Sequence, residues 1–203
     1  MKDPNDMKKR ALLTFLIAIS IVFLGSSFVR QSIAALRSTD HFIIYTNDSR
    51  ILFEPGAEAY AIKIGGVLDS AIKRIEAKQY SNFTDPVRVH VCSSRESFKK
   101  YFGADVRAGV LIKLFLSPRV FDDGNVVAEL YLTHELSHLH IRDKIGNYKM
   151  SRLPVWFKEG LATYVSGGGG AHTVSDKEAV DAIISGKHFI PNKRGGLIFS
   201  KNG

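Results

Sequence analysis

Three short stretches of the chain carry apolar residues in the pattern of β-strands. Each is rich in β-branched or aromatic residues and is bounded by turn-forming residues. In the second stretch Val87, Val89 and Val91 alternate with Arg88 and His90, so we expect these two sets on opposite faces of a strand. The predicted strands are residues 41–47, 86–94 and 108–118.

A second period, of three to four residues, predicts helices. It is clearest over residues 54–80, where Ala57, Ala61, Ile64 and Leu68 recur on one side. Further helices are predicted over residues 94–103, about 126–144, 154–167 and 175–186. Because strands and helices are mixed, and the helices concentrate toward the C-terminus, we expect an α+β fold.

The first 35 residues form a separate segment. Residues 11–29 contain no charged side chain and are long enough to cross a bilayer as a helix. Lys8, Lys9 and Arg10 precede this run, so the positive-inside rule puts the N-terminus in the cytoplasm. We therefore predict a signal anchor in residues 1–35, and a domain over residues 36–203 outside the cytoplasm. The alternative is a cleaved signal peptide and a secreted domain.

The composition limits which residues can bind a metal and which partners are expected. Hydrophobic residues make up 45% of the 203 residues, enough for a buried core. Cys92 is the only cysteine, which excludes an intrachain disulfide and a thiolate metal cluster. A metal site must therefore use His, Asp or Glu. The net charge of +8 is scattered, without a basic stripe carrying aromatic residues, so no nucleic-acid partner is predicted.

The sequence YLTHELSHLH, residues 131–140, contains the pattern HExxH. In a helix, His134 and His138 lie on one face and present two imidazoles to a single point, a spacing that suits zinc. Glu135 lies roughly 100° around the helix, where it borders the site without being a ligand. From there it can take a proton from a zinc-bound water.

A catalytic zinc site usually has three protein ligands and one open position. The predicted helix that follows, PVWFKEGLATY, offers Glu159 as the third ligand. We expect its apolar neighbours, such as Trp156 and Phe157, to bury it. The absent side chain of Gly160 is expected to let the two helix backbones approach closely.

THELSHLH followed by LPVWFKEGLATY resembles the gluzincin peptidases, and most closely the small peptidase MA-like group. The match is specific over about residues 126–167. The resemblance implies a small zincin-like domain in which a short mixed sheet packs on the HExxH helix. It also implies His134, His138 and Glu159 as Zn²⁺ ligands and Glu135 as general base.

Two further features of that family have candidates here. Larger relatives stabilise the oxyanion with a Tyr or His beyond the third ligand. Zincin folds also bind the substrate along a strand edge beside the active-site helix, which makes the strand at 108–118 a candidate; an ordinary core strand is equally consistent. The candidates for the oxyanion residue are Tyr164, Tyr148, His172 and His188.

Three functions are compatible with these patterns. The first is a membrane-associated zinc metallopeptidase that acts on peptides or proteins, with a partner chain possible. The second is a non-catalytic, zinc-stabilised module that binds peptides or proteins at the membrane. The third, a metal-free scaffold, requires two buried histidines without a ligand, which is costly. The first explains Glu135 best, because a structural zinc site needs no base.

The orientation of the chain gives a first testable prediction. A reporter enzyme that is active only outside the cytoplasm, fused after Gly203, should be active in cells. A second reporter that is active only in the cytoplasm serves as the control. Activity of the cytoplasmic reporter alone would contradict the predicted orientation.

Overall fold

The computed structural model describes residues 14, 27–122, 124–168, 177, 180, 181 and 184–186. The strands are β1 (Ile43–Ile44), β2 (Ile51–Phe53), β3 (Val89–Val91), β4 (Ala108–Val110) and β5 (Leu114–Leu116). The helices are α1 (Ser27–Ala35), α2 (Glu58–Gly65), α3 (Leu68–Lys78), α4 (Arg95–Phe102), α5 (Asn125–Arg152) and α6 (Val155–Ser166), with a 3₁₀ turn at Pro118–Phe121. The α+β expectation is confirmed.

The five strands form one mixed sheet in the order β1-β2-β3-β5-β4. The three central strands run parallel, and β1 and β4 pair antiparallel at the two edges. Strands β4 and β5 are consecutive and form a hairpin, so β4 has a free edge on its outer side within the described part of the chain. This free edge faces α5, which packs against β4.

Helices cover both faces of the sheet. Val89 and Val91 face a large core shared with α2, α3, α5 and α6, and both valines are fully buried. On the other face His90 is also buried, and its ring packs against Phe42 and Phe115 beneath α4. The predicted alternation of the two sets of side chains is confirmed. The face of the strand that contains His90 is also covered, by α4. Cys92 is buried on this face as a core residue.

Two predicted elements are divided in the structure. The helix expected over residues 54–80 is two helices, α2 and α3, separated at Gly66 and Val67. The single strand expected over 108–118 is the β4–β5 hairpin, and Lys113 lies in its turn, where Leu111 N–H donates to the Lys113 carbonyl. Both predictions rested on the spacing of apolar residues. This spacing does not show where a turn interrupts a continuous apolar run.

The predicted strand at residues 41–47 was too long, and one observed strand was missed. Only Ile43 and Ile44 of residues 41–47 are paired, and β2 was not predicted. Helix α4 was predicted correctly: Ser94 accepts the Ser97 N–H at its start, and Gly103 ends it in the left-handed region. The predicted helix at 175–186 lies largely outside the described residues.

Helix α5 contains the HExxH pattern and extends farther than predicted, to Arg152. Gly146, with φ of 77°, interrupts its helical geometry. Leu132 and Leu136 lie one turn apart and are fully buried in the core, which stabilises the helix position by about 1.5–3 kcal/mol for each side chain. A second line of contacts is polar: Ser137 accepts from the Gln79 amide, and His140 Nε2 donates to the Ser81 carbonyl at 2.8 Å.

The apolar run at residues 11–29 lies largely outside the described part of the chain. Within the described residues, no helix combines the length and apolar character needed to cross a membrane. Helix α1 begins at Ser27, within the last residues of this run, and packs on α4.

Asp143 on α5 should stabilise the fold in a pH-dependent way. Its side chain, 4% exposed, accepts the backbone N–H groups of Thr84 at 2.8 Å and Asp85 at 3.0 Å. Burial raises its pKa, but these bonds and the Lys144 ammonium lower the pKa to about 2. Asp143→Asn should therefore reduce the free energy of unfolding at neutral pH by about 1–3 kcal/mol.

Because the folded-state pKa is lowered, this contribution is present above the unfolded-state pKa of about 4 and is lost as the pH falls toward about 2. Urea denaturation at several pH values, with chelator throughout, measures the difference between wild type and variant. Asp69→Asn is the control, since its side chain is 70% exposed. A difference that stays constant down to about pH 2 would contradict this account.

Candidate metal centre

Helices α5 and α6 pack against each other and bring three side chains to one point. His134 and His138 come from consecutive turns of α5, and Glu159 comes from the second turn of α6. Only Leu153 and Pro154 lie between the end of α5 at Arg152 and the start of α6 at Val155, so the connection between the two helices is very short. The structure thus groups the three residues predicted as ligands, and this group can hold a metal ion.

The spacing of the three side chains suits a small tetrahedral ion. His134 Nε2 lies 3.3 Å from His138 Nε2 and 3.2 Å from Glu159 Oε2. His138 Nε2 lies 3.6 Å from Glu159 Oε1. Nitrogen and oxygen ligands held about 2.0–2.1 Å from zinc at tetrahedral corners are roughly 3.3–3.4 Å apart. The residues therefore fit an ion at their centre.

The chemistry of the donor set supports the same assignment. The two imidazole rings are nearly perpendicular, at 79°, and direct the same ring nitrogen inward. Two neutral imidazoles that meet through the same nitrogen share at most a single hydrogen bond. Hydrogen bonds with His134 and His138 lower the pKa of Glu159, so its carboxylate is charged and suited to a cation.

Glu135 lies beside this group in a cleft between α5 and β4. The cleft has a volume of about 540 Å³ and contains the three grouped side chains, Glu135 and the strand residues Ala108 to Val110. The Val110 N–H donates to the Glu135 carboxylate. Burial raises the pKa of Glu135, and the nearby Glu159 charge raises it further, whereas His138 and His134 lower it. Glu135 thus borders the site without being one of the three grouped residues.

The free edge of β4 is available to this cleft. Ser117 N–H donates to the Arg107 carbonyl and Leu111 N–H to the Lys113 carbonyl, which fixes the hydrogen-bond alternation of the hairpin. The backbone groups of Ala108 and Val110 consequently point away from β5. They lie along the cleft that contains Glu135.

The surroundings of Glu159 differ from the prediction. Its side chain is 53% exposed, and Trp156 and Phe157 are 46% and 40% exposed, so the expected burial was wrong. Only the following turn, with Ala162 and Val165, enters the core. A Cβ added at Gly160 would meet no atom within 4 Å, so this glycine is not required for close helix packing. The sequence was apolar here, but the packing leaves this side of α6 open.

Tyr164 does not reach the cleft. It lies five residues after Glu159 on a different face of α6, is 68% exposed, and has the Lys78 ammonium 4.7 Å from its ring centre. Tyr148 is equally exposed and lies against the Arg152 guanidinium. His172 and His188 lie outside the described residues. The structure therefore does not bring Tyr164 to the grouped side chains, and its role as an oxyanion-stabilising residue stays a prediction.

The side chains that line the cleft without having been predicted include Tyr131 and Arg107. Tyr131, one turn before His134, lines it, and the Arg107 guanidinium lies 5.5 Å from the Tyr131 ring centre. The spacing of Tyr131 from Glu135, four residues, indicates a shared helix face and would have identified it. Arg107 directly precedes β4, and the hairpin brings it to α5. His140, by contrast, belongs to the core side of the helix.

Comparisons of the chain with family models, curated proteins and solved structures gave no match. The chemistry of the site therefore rests on its own residues and their geometry.

The metal centre predicts a difference between two histidines of one helix. The full-length chain, purified in detergent and dialysed against zinc, should retain about one ion per chain. His138→Ala should weaken zinc binding by roughly 100-fold or more, because it removes a ligand. His140→Ala should retain the ion, because its ring contacts Ser81 and Phe83.

Elemental analysis after dialysis and competition with a chelator measure both variants, and Glu159→Ala tests the third ligand. Full zinc content in both His138→Ala and His140→Ala would exclude His138 as a ligand.

Proposed function

We propose that this protein is a zinc-dependent peptidase of the gluzincin type, held at the membrane by its N-terminal segment. The observation that carries the proposal is the placement of Glu135. It lies beside the His134, His138 and Glu159 group and also contacts the free edge of a strand. A purely structural metal site has no use for a carboxylate in that position.

Zinc is the metal that this donor set favours. Two imidazole nitrogens and one carboxylate, without a thiolate, match catalytic zinc sites with three protein ligands. Hard cations such as Mg²⁺ and Ca²⁺ prefer six or more oxygen ligands, which this group does not offer. The open side at Glu159 leaves access for water and substrate.

The strand edge supports a peptide as the substrate. An extended peptide can pair with an exposed edge through main-chain hydrogen bonds, whatever its side chains. The outward N–H and carbonyl groups of Ala108 and the outward carbonyl of Val110 are suited to such pairing, because only the Val110 N–H donates to Glu135. These groups lie in the same cleft as Glu135. A peptide bound there would run past the metal group with its backbone oriented by β4.

The residues divide the reaction between them. His134, His138 and Glu159 would hold zinc, which when bound supplies a Lewis acid that polarises the scissile carbonyl and lowers the pKa of water toward about 7. Glu135 takes the proton from the attacking water and later delivers it to the leaving amine.

The proposed location of the protein at the membrane rests on its sequence and not on the geometry of the cleft. The uncharged run at 11–29 and the basic residues before it predict an anchor, with the domain on the extracytoplasmic side. Peptides or proteins near the membrane surface are then the substrates within reach.

Replacing Glu135 should separate catalysis from metal binding. Glu135→Gln keeps the size of the side chain but removes the base, so we expect peptide hydrolysis to fall by about 10²–10⁴-fold while zinc content stays at the wild-type level. A library of fluorescence-quenched peptides and elemental analysis measure the two properties.

Glu129→Gln on the same helix is the matched control. Glu129 contacts Ser70 and Arg74 and does not line the cleft. The Glu129→Gln variant should therefore hydrolyse peptides at nearly the wild-type rate. Hydrolysis by Glu135→Gln at the wild-type rate would exclude the proposed mechanism. Zinc binding by the wild type without any turnover would favour a non-catalytic peptide-binding module.

A further inference from the structure

The turn of the β4–β5 hairpin is held by a single side chain of α5. Arg142 Nη2 donates to the Ile112 carbonyl at 2.8 Å, and Nη1 donates to the Leu111 carbonyl. The guanidinium fork suits two neighbouring carbonyls, because its donors are coplanar and fixed in direction. One residue on the metal-binding helix therefore contacts both peptide groups at the start of the turn.

The Arg142 guanidinium makes these two hydrogen bonds without an ion pair in the described part of the chain. Among the described residues no carboxylate lies within salt-bridge distance of it, although Asp143 is its neighbour in sequence. Burial lowers the pKa of the Arg142 guanidinium, but an arginine remains charged at neutral pH. Placing a charge here without a counter-ion is costly, so its two bonds to the turn are what offset the loss of water.

The hairpin turn is directly connected to the candidate metal centre. Leu111 follows Val110, whose N–H donates to Glu135, and Ala108 and Val110 form the free edge in the cleft. Arg142 itself lies four residues after His138, on the next turn of α5. The same helix thus carries two grouped ligands, the neighbouring glutamate and the residue that holds the strand opposite them.

We infer that Arg142 is a positioning residue that fixes the β4–β5 hairpin, and with it the free edge of β4 and the Val110 N–H, against the active-site helix. This inference rests on the proposed peptidase function for its effect on catalysis, but not for its effect on the hairpin. Without the contact, the turn can move away from α5 and the edge strand loses its fixed distance from Glu135. A displacement of about 1 Å in such an arrangement can reduce catalysis by about 100-fold.

Arg142→Met tests the contact in the full-length chain, because it keeps a long side chain and removes every donor. Arg142→Lys keeps the charge and donors without the planar fork. Arg88→Met is the matched control, since Arg88 lines the same cavity as Arg142 and is exposed. Hydrogen exchange is followed by mass spectrometry in two segments, residues 106–116 and residues 128–140. Zinc content and peptide hydrolysis are measured on the same samples.

In Arg142→Met, exchange in 106–116 should be about tenfold faster, while 128–140 and the zinc content remain as in the wild type. KM should rise for every peptide that is cleaved, because the strand that binds it is no longer held. Partial unfolding of the sample alone would lower kcat and leave KM unchanged. Arg142→Lys should recover part of both losses, and Arg88→Met should behave as the wild type.

Unchanged exchange in 106–116 for Arg142→Met would overturn the inference, as would an equal effect of Arg88→Met. If Arg142→Met unfolds as a whole, so that both segments exchange together, Arg142→Lys provides the comparison under the same criteria. Faster hairpin exchange in a protein whose wild type shows no hydrolysis would support the role of Arg142 and reject the peptidase function.

Discussion

The arrangement of the site depends on how α5 is buried. Leu132 and Leu136 insert into the core beneath the sheet, and this contact fixes the rotation of the helix about its axis. Once that rotation is set, His134 and His138 are directed to the opposite side, toward α6 and the edge of the sheet. A rotation by one residue, roughly 100°, would direct both imidazoles elsewhere. Hydrophobic packing thus determines where the polar chemistry of this helix lies.

The candidate metal centre concentrates negative charge where it would otherwise be unfavourable. Glu159 is charged beside two imidazoles, and Glu135 stands close enough for that charge to raise its pKa. A cation among these groups relieves the repulsion between the carboxylates and uses the lone pairs of both rings. This local balance is independent of any likeness to other proteins. The half-exposed position of Glu159 also keeps one side of the centre open to solvent.

The sheet contributes to the site through its edge rather than through its side chains. Strand β4 is antiparallel and terminal in the sheet, so half of its backbone groups have no partner strand among the described residues. Exposed edges invite association with other chains unless they are covered or blocked. Here the edge lies against α5, Val110 is used by Glu135, and Arg142 fixes the adjoining turn. The exposed strand edge, which could otherwise associate with other chains, thus lies where an extended peptide can pair with it.

The sequence by itself indicated the α+β class and the HExxH helix, in which local helical spacing puts His134 and His138 on one face. The motif in the following helix indicated Glu159 as their companion. The sequence also indicated α6, through Pro154 and Gly167. Only the tertiary structure decided that residues 108–118 turn back as a hairpin, that Tyr164 packs on α3 and that Glu159 stays half exposed. These features depend on which surfaces meet across the fold, and a pattern of apolar residues along one chain does not record its partners.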